Sequence, residues 1–244
     1  MRYFFVIAFV CASLFAQKIS VGAGPYVQTQ PYEGVQNITV PSPVVFFDNS
    51  FFYIRWSRAG VYFLGEKNDD YAWGFSLSAQ PRPYGYKPSD SKKLEGMQER
   101  EQTLEAGLAM SIQIQKHYLE VMALTDVLNR TDAYIVKSEL GTEFSLGDFT
   151  FYPSFLVIYQ SQKFIDYYYG VKPSEATSSR ASYMPSAGVD FALQTYVQYP
   201  LYDAFSLFLN LRADKLSKQV TRSPIVSDSY IYSGLASILY TFDY

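Results

Sequence analysis

The residues that carry most protein chemistry are scarce in this chain. Its 244 residues include one cysteine, one histidine and two tryptophans. The cysteine, Cys11, lies in an N-terminal apolar stretch that we expect to be removed, so the mature chain needs no disulfide. The histidine, His117, falls in a predicted tight turn, where a lone imidazole is ordinarily solvated and is not a catalytic base. Because cysteines and histidines do not cluster either, we predict no catalytic residue, no metal site and no cofactor.

Long apolar runs and an excess of positive charge are also missing. After residue 16, no apolar stretch approaches the roughly 20 residues of a transmembrane helix, so any membrane insertion must use strands. The formal net charge of -3 argues against a nucleic-acid partner, because nucleic-acid binding needs a concentrated basic surface.

The N-terminus has the pattern of a secretory signal. Met1-Arg2-Tyr3 is a short basic start, Phe4 to Phe15 is an apolar run too short to span a bilayer as a helix, and Ala16 is a small residue before a cleavage point. We therefore predict a signal peptide over residues 1–16. Since no linker or internal repeat divides the rest, residues 17–244 are expected to form one outer-membrane β-barrel domain.

What the chain has in abundance is aromatic and apolar residues interleaved with polar ones. It contains 23 Tyr and 19 Phe, and 48% of its residues are hydrophobic, although the mean hydropathy is only -0.06. From Thr103 to Gln115, every second residue is apolar and those between are polar or small, which is typical of a strand with one apolar face. Tyr240, Phe242 and Tyr244 repeat the pattern and end on an aromatic carboxylate, as outer-membrane barrels do.

Segments of this kind predict an all-β fold. The connections alternate between tight turns and long polar loops, which is the plan of an up-and-down antiparallel transmembrane β-barrel with both termini in the periplasm. The expected location is the outer membrane of a Gram-negative bacterium, with its lipid as the first partner. About twelve strands are predicted, near residues 18–29, 40–48, 51–57, 60–66, 70–84, 99–115, 117–128, 133–146, 149–162, 183–200, 203–215 and 229–243. Ten is the alternative, because the connection Ser57 to Gly60 is very short and one hairpin there is weakly marked.

Alternation also predicts which charged side chains face the lumen. Twelve strands spaced about 4.8 Å and tilted about 40° enclose a cylinder about 24 Å across, which side chains narrow to roughly half or close. Because both signs of charge are predicted inside, one interpretation is paired charges that brace a closed lumen. The other is a narrow channel in which acidic residues favour cations. The predicted lumen residues are Arg55, Glu105, Glu120, Asp126, Lys137, Glu139, Glu143, Asp190, Arg212 and Asp214.

Several short motifs, found in one order along the chain, carry a family resemblance. They are Val21-Gly22-Ala23-Gly24 with Tyr32-Glu33-Gly34, Leu94-Glu95-Gly96-Met97, Asp166-Tyr167-Tyr168-Tyr169-Gly170-Val171 followed by Glu175, Arg180 and Tyr183, Ser223-Pro224-Ile225-Val226, and the terminal strand from Gly234 to Phe242. With these motifs the chain resembles the MipA/OmpV family of outer-membrane proteins over most of its mature length. The resemblance implies a lipid-embedded barrel. The family's namesake is regarded as a scaffold between a lytic transglycosylase and a murein synthase, so the resemblance implies these enzymes as possible partners.

The loop motifs predict a lid over the outer mouth. We expect Tyr167 to Tyr169 with Gly170 to form a turn whose rings pack against Tyr183 and the loop that begins at Leu216. The alternative interpretation treats these tyrosines as a stacking platform for a sugar or an aromatic solute.

The same loops contain a predicted ion pair. Glu175 and Arg180 are expected to form a charge-assisted hydrogen bond. The full set of lid or ligand candidates is Tyr167, Tyr168, Tyr169, Gly170, Glu175, Arg180, Tyr183, Ser223 and Pro224. Two function classes follow: a non-enzymatic scaffold for murein-remodelling enzymes, and a narrow channel for small solutes or ions that the outer loops gate.

Overall fold

Strand pairing closes the chain into a barrel. The computed structural model describes residues 18–68, 70–82 and 85–243, so the predicted signal peptide, Cys11 and the terminal Tyr244 lie outside the described residues. Over those residues the strands are β1 (Lys18–Gln28), β2 (Ile38–Asp48), β3 (Phe52–Arg55), β4 (Arg58–Lys67), β5 (Tyr71–Arg82), β6 (Thr103–Ile114), β7 (His117–Asp126), β8 (Tyr134–Thr142), β9 (Phe144–Leu146), β10 (Phe149–Gln160), β11 (Gly188–Tyr202), β12 (Phe205–Lys215) and β13 (Tyr230–Asp243).

All neighbouring strands are antiparallel, and β13 pairs with β1 to complete the ring. The segments β8 and β9 both pair with β10 and are separated only by Glu143, so these thirteen segments make twelve barrel strands. The predicted up-and-down barrel of about twelve strands is therefore confirmed, and the ten-strand alternative is not adopted.

Side chains alternate between lipid and lumen along the strands. On β6, Leu104 and Leu108 are exposed to the lipid side, whereas Glu105 and Ala109 are buried inside. Outward aromatic rings meet near both ends of the barrel. Near the periplasmic end the ring centroids of Phe205 and Tyr240 are 4.9 Å apart, and near the outer end those of Tyr134 and Tyr159 are 6.0 Å apart. This arrangement is the aromatic girdle expected at each membrane interface.

The connections differ at the two ends of the barrel. Periplasmic turns are only two or three residues long, and Ser50, Gln115 and Asp203 adopt positive φ angles in them. Apart from the two-residue β3–β4 connection, the outer loops are longer. They contain two short helices, α1 (Gln162–Tyr169) and α2 (Lys218–Thr221), with 3-10 turns at Pro88–Asp90, Lys92–Leu94 and Pro173–Glu175. Among the described helices, none has the length and apolar character to cross a membrane.

Two predicted strands begin too early. The structure starts β6 at Thr103 and β11 at Gly188, after the predicted residues 99 and 183. The reason is tertiary: Arg100 pairs with Tyr86, and Tyr183 pairs with Val171, in isolated bridges that belong to the outer loops.

A tyrosine ring covers a strand glycine at two places inside the barrel. A Cβ atom on Gly60 would lie 2.4 Å from the ring of Tyr53, and one on Gly141 would lie 2.3 Å from the ring of Tyr118. Only glycine leaves room for these rings, which pack flat against the neighbouring strand.

We expect Gly141→Ala to lower the free energy of unfolding by about 1–3 kcal/mol, because the new methyl group displaces the Tyr118 ring. The measurement is urea unfolding of the refolded protein in lipid vesicles, followed by gel mobility without heating. The control is Gly234→Ala, whose added Cβ would meet its nearest atom at an ordinary 3.6 Å. Equal unfolding midpoints for the two variants would contradict the predicted role of the ring.

Candidate functional site

The outer loops fold into the mouth of the barrel and share one apolar core with the wall. Lumen-facing side chains of β6, β7 and β8 contribute Ala109, Met122, Leu124 and Ile135 to this core. We call the whole cluster the plug. Its loop members are Tyr32, Tyr86, Leu94, Met97, Ala133, Phe164, Ile165, Tyr168, Tyr169, Val171, Leu216, Val220 and Ile225. The predicted lid is therefore packed down into the lumen.

The tyrosine motif is helical, so the predicted turn at these residues is wrong. Tyr167 to Tyr169 form the end of α1, in which Phe164, Ile165, Tyr168 and Tyr169 are buried on one face. The helix ends at Gly170, whose N–H donates to the Asp166 carbonyl at 2.9 Å. A Cβ atom on Gly170 would lie 2.4 Å from that carbonyl oxygen, so this tight ending requires glycine.

Aromatic contacts and hydrogen bonds join α1 to the other loops. The ring centroid of Tyr169 lies 5.6 Å from that of Tyr32, and the Tyr32 hydroxyl donates to the Tyr168 carbonyl at 3.2 Å. The Tyr167 hydroxyl accepts a hydrogen bond of 2.9 Å from the N–H of Glu101. Burial raises the pKa of Tyr32 well above its ordinary value, with neighbouring tyrosines adding to the rise, so the plug is uncharged there at neutral pH.

The remaining loop candidates connect α1 with the loop that contains α2. Tyr183 donates from its hydroxyl to the Gln219 carbonyl at 2.8 Å, and the Ser223 hydroxyl donates to the Tyr169 carbonyl. Pro224 is half-buried between the buried residues Ser223 and Ile225. The structure thus brings together all the loop candidates, in contacts that serve packing.

The predicted ion pair between Glu175 and Arg180 is wrong. The carboxylate of Glu175 instead accepts hydrogen bonds from Arg100 at 3.1 Å and from the backbone N–H groups of Gln98 at 2.8 Å and Lys172 at 3.0 Å. Glu175 and Arg100 are only 3% and 4% exposed. Burial alone would raise the pKa of Glu175, but the two backbone donors and the charge of Arg100 outweigh it, so the pKa lies below its ordinary value.

Arg180 binds backbone carbonyls and no carboxylate. Its guanidinium donates to the carbonyls of Glu175 at 2.7 Å and Glu95 at 3.0 Å, and also to that of Lys93. Arg180 therefore joins the loop before β6 to the loop after β10. The contacts with Glu95 and Lys93 could not be read from the sequence, because these carbonyls are more than 80 positions away.

Arg100 is the buried residue beside the plug that the sequence analysis missed. Its guanidinium lies 5.6 Å from the ring centroids of both Tyr86 and Tyr167 and also donates to the Tyr167 carbonyl. The only local signal was an arginine within a segment that looked like a strand, and that signal does not single out a buried charge.

Paired charges occupy the lumen below the plug. Glu120 pairs with Arg58, and with Arg55 at 3.5 Å. Arg55 also reaches Asp48 at 3.0 Å. Arg58 was not predicted, because the very short β3–β4 connection hid the start of its strand.

The other predicted lumen residues also have close partners. Lys137 lies 3.5 Å from Glu139, Arg212 donates to Asp214 at 2.8 Å, and Glu105 accepts from Arg82 at 2.7 Å.

The last three predicted lumen residues contact backbone groups. Asp126 accepts from the N–H groups of Leu128 and Thr131 in the β7–β8 loop, at 2.9 and 2.6 Å. Asp190 accepts from the N–H of Ser217, just before α2, at 2.7 Å. Glu143 lies half-buried at the periplasmic end, and its N–H donates to the Lys116 carbonyl at 2.8 Å.

A second apolar group lies inside the barrel, on the β12, β13, β1 and β2 side. We call it the inner cluster: Val44, Phe208, Leu235 and Leu239 are buried, and Tyr26, Phe46, Trp56 and Tyr196 pack against them. Across the described residues, no three acidic, cysteine or histidine side chains meet as metal ligands would. His117 is exposed at the start of β7. What the arrangement does physically is to fill and rigidify the barrel.

We expect Arg100→Met to loosen the plug by about 3–5 kcal/mol, because it leaves the buried carboxylate of Glu175 without its cation. Trypsin should then cleave the outer loops at Lys92, Lys93 or Lys172, while the barrel keeps its folded gel mobility. The control is Arg130→Met, which removes a partly exposed pair with Glu101 at 3.2 Å and should cost about 0–1 kcal/mol. Equal trypsin resistance of both variants would contradict this role of Arg100.

Comparison with known proteins agrees with the barrel and the loop motifs. The family model of the MltA-interacting protein MipA matches residues 21–242. The putative outer membrane protein YiaT of Escherichia coli is 26% identical over 238 residues, which cover 95% of this chain and 94% of that protein. The MltA-interacting protein of Escherichia coli is 27% identical over 230 residues, with coverages of 93% and 90%. Outer membrane protein OmpV of Vibrio cholerae is 26% identical over 180 residues, with coverages of 74% and 69%. The chain is thus an outer-membrane β-barrel protein and belongs to the family of the MltA-interacting protein MipA.

Proposed function

We propose that this protein is a non-enzymatic scaffold that holds a murein-remodelling enzyme against the periplasmic face of the outer membrane. The partners that the family resemblance implies are a lytic transglycosylase and a murein synthase. The observation that carries the proposal is the plug, because an apolar core that fills the outer mouth is expected in a closed barrel that acts as an anchor.

The lumen charges support a closed barrel. Four basic residues, Arg55, Arg58, Lys137 and Arg212, lie close to four acidic ones, Asp48, Glu120, Glu139 and Asp214. A selective pore usually presents one sign of charge to the passing ion. Balanced pairs instead satisfy one another. Arg58 and Glu120 also join β4 to β7 across the lumen, whereas Lys137 with Glu139 and Arg212 with Asp214 each lie along one strand.

A non-enzymatic role fits the side chains available in the described residues. The single imidazole, His117, is exposed at the periplasmic end of β7, away from the plug and the lumen charges. No described cluster of acids, cysteines or histidines has the composition of a metal site.

The periplasmic turns are the surface available to a partner enzyme. They are short and conformationally restricted, so their side chains are presented without an ordering cost. Among the described side chains at this end, exposed acids outnumber exposed bases: Asp48, Glu66, Asp70, Asp148 and Asp203 against Lys18, Lys67 and Lys116. A stable interface buries about 800 Å² per partner, so the partner must contact several turns at once. We infer that its docking face is basic. The name of one relative, MltA-interacting protein, supports a protein partner.

We expect purified protein in nanodiscs to bind a soluble lytic transglycosylase, and the triple variant Asp70→Lys, Asp148→Lys, Asp203→Lys to bind at least tenfold more weakly. The measurement is surface-based binding at two salt concentrations. The matched control reverses three exposed acids of the outer loops, Glu95, Glu99 and Asp228, and should bind as the parent does. Equal weakening by both sets, or no binding by the folded parent, would contradict the scaffold.

A narrow channel is the second candidate, and the charged lumen is the observation that favours it. We expect the refolded protein to be silent in planar bilayers, because the plug and the inner cluster lie across the path. Arg100→Met tests the plug directly: current that appears only in this variant would identify the plug as the closed element. Discrete ion-selective steps in the parent, altered by Glu139→Lys or Glu143→Lys, would establish a channel and overturn the closed barrel.

A further inference from the structure

One stretch of the barrel wall lacks strand pairing. The strand β3 has four residues and ends at Arg55, and β4 begins at Arg58. Beyond this hairpin, β2 continues over residues 38–44 and β5 over residues 80–82 with no described strand pairing between them. Because two strands are missing there, the edges of β2 and β5 are separated by about three strand spacings, roughly 14 Å. We call this opening the lateral gap.

The edge of β2 is built to remain unpaired. In an antiparallel ladder, alternate residues direct their backbone groups to one neighbour. The Val45 carbonyl is directed towards β3, because it accepts a hydrogen bond from the N–H of Trp56 at 2.9 Å. The backbone groups of Pro43 and Pro41, two and four positions earlier, therefore point in the same direction, into the lateral gap. Proline has no N–H, and therefore this edge offers carbonyls with few donors and cannot pair with a further strand.

The edge of β5 has the same property. The backbone groups of Leu104 in β6 point away from β5, because the Leu104 carbonyl accepts a hydrogen bond from the N–H of Val127 at 2.9 Å. Pro81 of β5 lies opposite Leu104 and is therefore not hydrogen-bonded to it, so the backbone nitrogen of Pro81 points to the other side of β5, towards the lateral gap. Prolines at non-donating positions on both sides explain why the wall stays open instead of recruiting a neighbouring chain.

The lateral gap reaches the depth of the membrane hydrocarbon on its β2 side. At about 3.3 Å per residue and a tilt of about 40°, the hairpin tip lies about 10 Å above the periplasmic rim along the four residues of β3, but about 25 Å above it along the ten residues of β4. The apolar band of an outer-membrane barrel is about 25 Å tall, so the gap faces the outer leaflet. Carbonyl groups without donors are costly in hydrocarbon, and the edge of β2 therefore needs a donor from outside the strands.

Apolar surfaces lie beside the lateral gap and behind it. On the membrane side, a shallow cavity of about 430 Å³ is lined by Ala23, Gly24, Pro25, Thr39, Val40 and Pro41 of β1 and β2. At the tip of the short hairpin, Trp56 adopts φ +54°, and its indole N–H donates to the Ser42 hydroxyl at 3.0 Å. Its ring lies 5.8 Å from that of Tyr26 and joins the inner cluster. Trp56 thus lies at the periplasmic edge of the gap and connects it with the inner cluster.

We propose that the lateral gap is a binding site for an outer-leaflet glycolipid of the lipid A type. Its acyl chain occupies the cavity on β1 and β2 and reaches Trp56. Its hydroxyl and amide N–H groups donate to the free carbonyls of β2 near Thr39 and Pro41. A plain diacyl phospholipid fills the same cavity less well, because its ester-linked chains carry no such donors. The site is independent of the periplasmic scaffold.

The two tryptophans provide the test. In the variant Trp73→Phe, Trp56 is the only tryptophan, and in Trp56→Phe the only tryptophan is Trp73, which lies on the lipid side of β5 next to Phe75. Each variant is refolded into vesicles of phosphatidylcholine with brominated acyl chains, which quench on contact. We expect both tryptophans to be quenched. Adding lipid A at a few mole per cent should relieve the quenching of Trp56 saturably and leave that of Trp73 unchanged, and phosphatidylethanolamine should relieve neither.

Matched substitutions locate the effect. In the Trp73→Phe background, Ala23→Leu fills the cavity and should lower the quenching of Trp56 at least twofold, whereas Ala123→Leu, on the lipid face of β7, should leave it unchanged. Folded gel mobility shows that each variant has refolded. An unquenched Trp56 beside a quenched Trp73 would mean that no acyl chain enters and would overturn the proposal. Relief by phosphatidylethanolamine, or equal relief of both tryptophans by lipid A, would overturn the specificity for lipid A.

Discussion

The constraint on which the rest of this structure depends is that backbone polar groups in hydrocarbon must find partners within the protein. The pairing of β13 with β1 meets it by removing the two edges that an open sheet would expose. This contact joins residues more than 200 positions apart, and it is close: a Cβ atom on Gly22 would lie 2.1 Å from the Ile238 carbonyl. Closure then imposes the alternation, since each strand must present one face to lipid and the other to a narrow lumen.

A narrow lumen determines how charge can be buried. Acidic and basic side chains meet inside, some along one strand and some between strands, and the carboxylates of Glu105, Glu120, Glu139 and Asp214 each have a cation within reach. The same rule holds in the plug, where Glu175 is held by Arg100 and two backbone N–H groups. Removing one partner of such a pair is costly, whereas the pair itself need not add much net stability. Its role here is to hold two loops, the one before β6 and the one after β10, in one arrangement above an apolar core.

The closed outer mouth and the lateral gap are complementary features. The plug places apolar side chains in the outer mouth, and the short β3–β4 hairpin leaves part of the wall without strand pairing. Prolines at the gap edges allow this departure from full pairing, because they remove the donors that would otherwise recruit another strand. The two sites proposed for partners thus lie on distinct faces: the periplasmic turns, with their exposed acids, and a membrane-facing site of apolar and carbonyl groups.

The sequence by itself determined the class of fold, which strand side chains face lipid and which face the lumen, and the alternation of short turns with long loops. These follow from a period-two pattern that each strand carries locally, so Leu104 and Glu105 could be assigned to opposite faces without any knowledge of their neighbours. The tertiary structure decided which distant groups meet. The carboxylate of Glu175 was expected to bind Arg180, five positions away, but it binds Arg100, and Arg180 binds only the backbone carbonyl of Glu175. Loop packing and not sequence separation brings the charges together. The helical form of Tyr167 to Tyr169 and the position of Arg58 were decided in the same way. Neither the apolar core under α1 nor the register of the shortest hairpin exists until the barrel has closed.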